Sequence, residues 1–380
     1  MWQRILQKTY LKAVRYEGNP FKPYFKNLSV LAPLWQKNPF LKSQLRTPPF
    51  KKSTILFSQA LKLIKPSPSP MQYRTLGKTG LEVSILGFGA SPLGNVFDPV
   101  DEKEGISAVH YALDQGINFF DVSPFYGLTL AESRLGKALE GSRKDIILAS
   151  KCGRYDLQHF DFSRKKILQS IDESLVRLKT DYLDLFQLHD IEFVDKQIIL
   201  AEAVPAMREV VASGKARFWG ITGLPVRYLA QIARETNPDT VLSWGHYNLL
   251  EDEINEELVP LSLEMEFGLM NAAPLMQRIL SDGTLPPWHR SPPEVKAMQP
   301  ILLEFCKCYG IRLSDVALRY AMDHPYIATT IIGMCELEVV KQNVEALDFE
   351  IPEVLLEKIE TLLAPVKNRM WFEGKEENNI

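Results

Sequence analysis

Three short stretches place an ionisable side chain where an apolar run ends. DVSPFYG follows GINFF and carries Asp121 and, five residues on, Tyr126; ILASKCGRYD carries Lys151; LFQLHD carries His189. Singly, each residue has an ordinary reading. An aspartate before a turn caps it, a tyrosine in a turn packs, a lysine past a strand is solvated, and a histidine at a strand end is a hydrogen-bonded structural residue. Brought together, they have a chemical use. A tyrosine hydroxyl titrates near pH ~10, too high for easy proton exchange at neutrality, and an adjacent ammonium favours the phenolate. Lys151 supplies that charge, and Asp121 is the counter-ion that a lysine drawn out of water requires. His189 is placed to hydrogen-bond a substrate oxygen beside Tyr126. The set is a general acid or base aimed at a carbonyl or hydroxyl oxygen. No nucleophile elbow or metal motif accompanies it, so the electron carrier must be borrowed, and hydride transfer to a nicotinamide suits the arrangement.

Residues so far apart in the chain meet only if the elements between them bring them to one place. From residue 84 to residue 347, short apolar runs alternate with longer segments of helical period, the pattern of βα units. The strand candidates are 85–89, 117–121, 145–150, 183–189, 217–222, 240–244, 268–272 and 329–333. In SRKKILQSIDESLVRLK, Ile167, Ile171, Leu175 and Leu178 form a stripe opposite Lys165, Lys166 and Lys179. Eight such pairs fit an α/β (β/α)8 TIM barrel, whose usual length is roughly 250 residues. A doubly wound open sheet is the competing architecture, but LGFGASPLG has the wrong glycine spacing for its GxGxxG turn. LGKTGLEVS, ahead of the first barrel strand, reads as a hairpin able to plug the barrel floor. In a (β/α)8 barrel the C-terminal strand ends form the active site, and Asp121, Tyr126, Lys151 and His189 all fall at or just past such ends.

Charge divides the chain. Residues 1–70 hold 13 Lys and Arg against one acid, a balance of +12, while the remainder holds 31 against 46, a balance of −15. An acidic body argues against a nucleic-acid partner, and no apolar run approaches the roughly 18 to 20 residues of a membrane span. The first 70 residues, with nine prolines and one glycine, read as a basic extension. MWQRILQKTYLKAVRY places Arg4, Lys8, Lys12 and Arg15 on one face of a possible helix, as in an organelle presequence. A basic disordered tail, or an extension upstream of a start at Met71, is the other reading. The expected organisation is extension 1–70, barrel 71–365 and polar tail 366–380. The location is cytoplasmic, or mitochondrial if the extension is a presequence. Cys152, Cys306, Cys308 and Cys335 lack paired CxxC spacing and read as reduced thiols.

DVSPFYG, SKCGRYD and QLHDIEF together resemble the catalytic motifs of the aldo-keto reductase family. KCGRYD, HDIEF, GITGLP and PPWHRSPPE are similar, more narrowly, to its L-galactose dehydrogenase branch. The resemblance implies Asp121, Tyr126, Lys151 and His189 as the catalytic set. It implies oxidation at C1 of an L-sugar, L-galactose to L-galactono-1,4-lactone, with Tyr126 as base, a small-molecule sugar as partner and a role in ascorbate biosynthesis. It implies cofactor contacts at Thr222, Gly333, Met334, Gln342 and Asn343, while Arg278, a departure from the branch, is read as a cofactor contact that grips the pyrophosphate or as a residue that loosens the site. Members that bind NADP carry a cation soon after the strand-eight glycine. Here the run is IIGMCELEVVKQN, with Glu336 and Glu338 before any cation, so the expected cofactor is NAD. Arg278 stands where the branch has a glycine, and Asn271 and Ala273 replace a pair of serines. An NADPH-dependent carbonyl or aldehyde reductase of the same fold, or a non-catalytic redox-sensing binding subunit, are the alternatives.

Overall fold

The computed structural model describes residues 70–379, so the basic extension up to residue 69 lies outside the described residues. Eight parallel strands close a barrel in the order β10-β3-β4-β5-β6-β7-β8-β9. They are β3 (Leu86–Gly89), β4 (Phe119–Asp121), β5 (Ile147–Cys152), β6 (Leu183–Leu188), β7 (Ala216–Gly223), β8 (Thr240–Trp244), β9 (Gly268–Ala272) and β10 (Thr329–Gly333). Each matches a predicted strand to within two residues at either end. An antiparallel pair, β1 (Tyr73–Thr75) and β2 (Glu82–Ser84), precedes them.

Period-two alternation sorts the strand residues into two cores. Phe119, Ile147, Ala149, Leu185, Leu242, Met270 and Ile331 fill the barrel interior. Their neighbours Phe120, Leu148, Phe186, Val241, Leu269 and Ile332 pack outward under the helices. The same parity carries Asp121, Lys151 and Gln187 into the interior at its C-terminal end. At the other end the hairpin is the floor, with Leu76, Leu81 and Val83 joining the interior core. Its turn lies tight under β9: Lys78 N donates to Glu266 O at 2.6 Å, and a Cβ on Gly77 would meet the Gly268 nitrogen at 2.3 Å.

The helices follow their sequence signals, with one instructive exception. Ser163 caps Arg164–Leu178, whose Ile167, Ile171 and Leu178 are buried while Leu175 is only partly covered. The segment QIILAEAVPAMREVVA is not one regular helix. It runs as a turn of α-helix (Lys196–Ile198), a π-helical stretch (Ile199–Ala203) and an α-helix (Val204–Ala212). Pro205 lacks an N–H and its ring crowds the carbonyl four residues back, and the wider π turn absorbs the conflict. The cysteines are unpaired, and Cys306 and Cys308 lie on the helix Met298–Cys308. Among the described residues no helix is long and apolar enough to cross a membrane.

The C-terminal segment folds back onto the rim. Asn368 N donates to Leu250 O at 2.9 Å and Lys375 N to Glu192 O at 2.9 Å, while the Asn378 amide donates to Glu192 O and Val194 O, both at 2.9 Å. Trp371 is buried against Trp244, with ring centroids 5.8 Å apart, whereas Phe372 is exposed. A segment of polar composition is therefore held by main-chain hydrogen bonds and one aromatic anchor.

Candidate active site

Asp121 is the last residue of β4, and the chain then reverses over it. Val122 N donates to Ala149 O at 3.0 Å, and Tyr126 N to Ser123 O at 3.1 Å, closing a turn around Pro124. Gly127 adopts φ +62° with its α-carbon against Gly94, so a Cβ there would lie 2.1 Å from Gly94 O. This contact presses the Tyr126 loop onto the loop after β3, and only glycine permits it.

Lys151 projects from β5 into the barrel and is buried. Its Nζ forms an ion pair with Asp121 Oδ1, donates to Val122 O at 3.0 Å and lies 3.5 Å from the Tyr126 hydroxyl. Gln187, from β6, donates to the other Asp121 oxygen at 3.0 Å. Burial alone lowers the ammonium pKa, but Asp121 and Tyr126 outweigh it and the net shift is upward, so Lys151 stays charged. For Tyr126 the balance runs the other way. Burial raises the phenol above its ordinary value, and Lys151 offsets that only in part, with Asp121 and Asp190 adding to the rise. Without ligands Tyr126 is therefore a protonated phenol beside a charged amine, and the depressed pKa expected from the pairing alone is not reached.

His189 follows β6, its ring edge-on to Tyr126 at 5.6 Å between centroids. Burial depresses its pKa to about 3, so the imidazole is neutral near pH 7. Ser123 Oγ accepts from Phe125 N at 3.1 Å and lies 2.9 Å from His189 Nδ1. A hydroxyl that donates to Nδ1 leaves Nε2–H as the donor available to an oxygen.

Sequence reasoning missed the residues that hold this set in place. Arg154 makes a buried ion pair with Asp190 and stacks 4.1 Å from the Phe125 ring centroid. Burial works against the Asp190 charge, but the neighbouring His189, the Arg154 guanidinium and Lys151 together outweigh it and keep the carboxyl below its ordinary pKa. Asp190 Oδ2 lies 3.5 Å from His189 Nε2. Asp190, Arg154, Gln187 and Ser123 all lie within or beside the motifs quoted above, where charges set among apolar residues were the available signal.

The residues expected around a cofactor are distributed unevenly. Gly333 ends β10 with its backbone exposed, Met334 is buried behind it, and Gln342 and Asn343 lie on the helix Leu337–Glu345 that follows. Thr222 is engaged elsewhere: its hydroxyl accepts from Asp190 N at 3.1 Å and faces Asp190 Oδ1 at 3.5 Å. Arg278 is bound in an ion pair to Asp98 and lies over the Phe97 ring at 5.2 Å, joining the loop after β9 to the loop after β3. Its backbone is left-handed, φ +85°, a conformation that glycine adopts without strain. Among the buried polar atoms without partners in the described residues are Gln187 Oε1 inside the barrel mouth and Asn343 Nδ2 on the helix after β10. An acceptor at one end, an amide donor at the other and bare glycine backbone fit an extended dinucleotide.

A closed parallel barrel with a lysine–carboxylate pair buried beneath a tyrosine at its C-terminal mouth defines a class of protein. The chain belongs to the aldo/keto reductase family, whose model matches residues 85–364, and whose members are oxidoreductases that use a nicotinamide cofactor. It is similar to L-galactose dehydrogenase of Arabidopsis thaliana, 40% identical over 318 residues covering 81% of this chain and 99% of the relative. It is also similar to D-threo-aldose 1-dehydrogenase of a Pseudomonas species, 29% identical over 303 residues, 72% and 92% of the two chains. Among solved structures, the holo form of an aldo-keto reductase from Bacillus halodurans superposes with a TM-score of 0.66 at 27% identity, over 82% of this chain and all of that one.

Proposed function

We propose that the protein oxidises C1 of an L-sugar, L-galactose to L-galactono-1,4-lactone, with NAD as oxidant. The observation that carries this reading is the Tyr126 hydroxyl 3.5 Å from a Lys151 ammonium that Asp121 neutralises. In the oxidative direction Tyr126, as phenolate, takes the proton of the C1 hydroxyl and becomes the neutral phenol, and Lys151 stabilises the phenolate that precedes the transfer. Neutral His189 donates through Nε2 to the same substrate oxygen and orients it. The Arg154–Asp190 pair fixes the loop that carries His189. NAD, when bound, supplies the hydride acceptor. Gly333, Met334, Gln342 and Asn343 would hold its adenosine end, and Arg278 and Thr222 would border it through the loops they brace. The substrate class is supported by the similarity to an L-galactose dehydrogenase and a D-threo-aldose 1-dehydrogenase.

The choice of NAD rests on charge. Glu336 is exposed at the N-cap of Leu337–Glu345 and makes no capping hydrogen bond. Lys341 is paired with Glu338 at 3.7 Å, and Arg278 with Asp98. A 2′-phosphate entering there meets carboxylate before any free cation. Turnover of L-galactose, L-fucose, D-arabinose and simple aldehydes, each with NAD and NADP, tests the reading. L-Galactose with NAD is expected to give the highest kcat/KM. A tenfold preference for aldehydes with NADPH would replace this reading with that of a carbonyl reductase.

A further inference from the structure

The loop between β8 and the helix Ile254–Met265 reads GHYNLLEDE. It folds into a compact knot around Asn248, whose Oδ1 accepts from Leu250 N at 2.8 Å and Glu251 N at 3.2 Å, and whose amide donates to Gly245 O at 2.8 Å. This knot turns Glu251 inward. The side chain is completely buried, and among the described residues neither carboxylate oxygen accepts a well-formed hydrogen bond. His246 is buried beside it with Nε2 equally unpartnered, its Nδ1 lying 3.1 Å from Glu253 Oε2. One donor atom from each of His246, Glu251 and Glu253 falls within 4.8 Å of the others.

A buried carboxylate without a donor is costly, and proteins resolve it by protonation, a counter-ion or a metal; burial pushes the Glu251 carboxyl up to about 8, so an entering cation takes the place of a proton there. Among the described residues no side-chain cation pairs directly with Glu251, although the Lys367 charge acts on it from nearby. Lys367 is committed to Leu249 O and Asp252, both at 3.2 Å; Arg369 reaches Glu294 at 3.3 Å; and Arg227 lies 3.7 Å from Glu257. The main-chain N–H of Arg369 faces the Glu251 carboxyl without supplying a full charge.

We propose that His246, Glu251 and Glu253 bind one zinc-type divalent cation through an imidazole nitrogen and two carboxylates. Two carboxylates balance the ion's charge. The imidazole selects zinc-class ions over magnesium and calcium, which prefer oxygen alone. Bonds of about 2.1 Å in tetrahedral array set ligand atoms about 3.4 Å apart. Rotation of the half-exposed Glu253 closes the present spacing, and its open side admits the ion and a water as fourth ligand. The site lies outside the Tyr126 set and serves the fold. The loop it closes holds the C-terminal segment through Asn368, whose amide donates to Asp252 Oδ1 at 2.8 Å. The spacing H-x4-E-x-E is no familiar metal motif, which is why nothing in the sequence announces it.

The test uses untagged full-length protein stripped with a chelator and titrated calorimetrically with Zn²⁺, with Co²⁺ absorption as a second readout. One equivalent is expected, with a tetrahedral Co²⁺ spectrum and a rise in melting temperature. Glu251→Gln keeps the side-chain shape, and Glu253→Ala changes a half-exposed position, so both should fold. Each is expected to weaken Zn²⁺ binding at least tenfold and to abolish the thermal shift. Binding unchanged in both variants, or parent protein that takes up no Zn²⁺, overturns the proposal. Mg²⁺ binding as tight as Zn²⁺ overturns the zinc-type assignment. None of these readouts depends on which substrate or cofactor the enzyme uses.

Discussion

At the scale of single residues, the chemistry depends on a charge that burial opposes. Lys151 remains an ammonium in the barrel because Asp121 pairs with it, and Asp121 is itself fixed by Gln187. Removing one partner of such a pair leaves the other uncompensated. Asp121→Asn is therefore expected to cost about 3–5 kcal/mol of unfolding free energy, read by denaturant titration. Stability equal to the parent would mean that the lysine finds another counter-ion. Proton balance gives a second expectation. The base form of Tyr126 is the phenolate, and burial raises the pKa above its usual value. The reactive fraction thus grows with pH throughout the range below that pKa. Oxidative kcat/KM should climb steadily from neutral into alkaline pH. No inflection should occur near the ordinary histidine pKa of ~6.5, because His189 is held at about 3 and is neutral across that range. An inflection there that disappears in His189→Asn would show that the imidazole titrates during turnover.

At the scale of elements, the loops after β3 and β4 act as one piece. Gly127 and Gly94 meet with no room for a side chain, and the turn so formed carries Tyr126. Gly127→Ala forces both a strained φ and a clash. We expect a loss of about 1–3 kcal/mol in stability and a larger fractional loss of kcat than of substrate affinity, measured by denaturation and steady-state kinetics. Kinetics unchanged from the parent would mean that the tyrosine does not depend on this approach. The strands were legible in the sequence because parallel-barrel strands are apolar on both faces, and their runs stand out between amphipathic segments. The Asp121, Tyr126, Lys151 and His189 cluster was legible because strand order places their ends on one rim. The Arg154–Asp190 pair, the Gln187–Asp121 bond and the His246–Glu251–Glu253 cluster were not. Each depends on side-chain direction in a loop or on pairing between separate strands, which periodicity does not encode. The π turn ahead of Pro205 is a compromise between local backbone chemistry and the helix layer, visible only once both are in place.

At the scale of the whole molecule, one end of the barrel is closed for stability and the other assembled for chemistry. The hairpin floor uses Leu76 and Val83 to complete the interior core, while the opposite mouth gathers side chains from β4, β5 and β6. The C-terminal segment lies along that mouth, tied at Leu250 and Glu192, and walls one side of it with Trp371. The tyrosine, the lysine and the histidine are brought together by strands of this one barrel and the loops that follow them. The central claim is that this tyrosine moves the proton. Its most direct test is NADH and lactone formation from L-galactose by the parent protein and by Tyr126→Phe, with NAD binding titrated by fluorescence in parallel. The account predicts a fall in turnover of about 10²–10⁴-fold with NAD binding retained; Tyr126→Phe turning over L-galactose at the parental rate would contradict it.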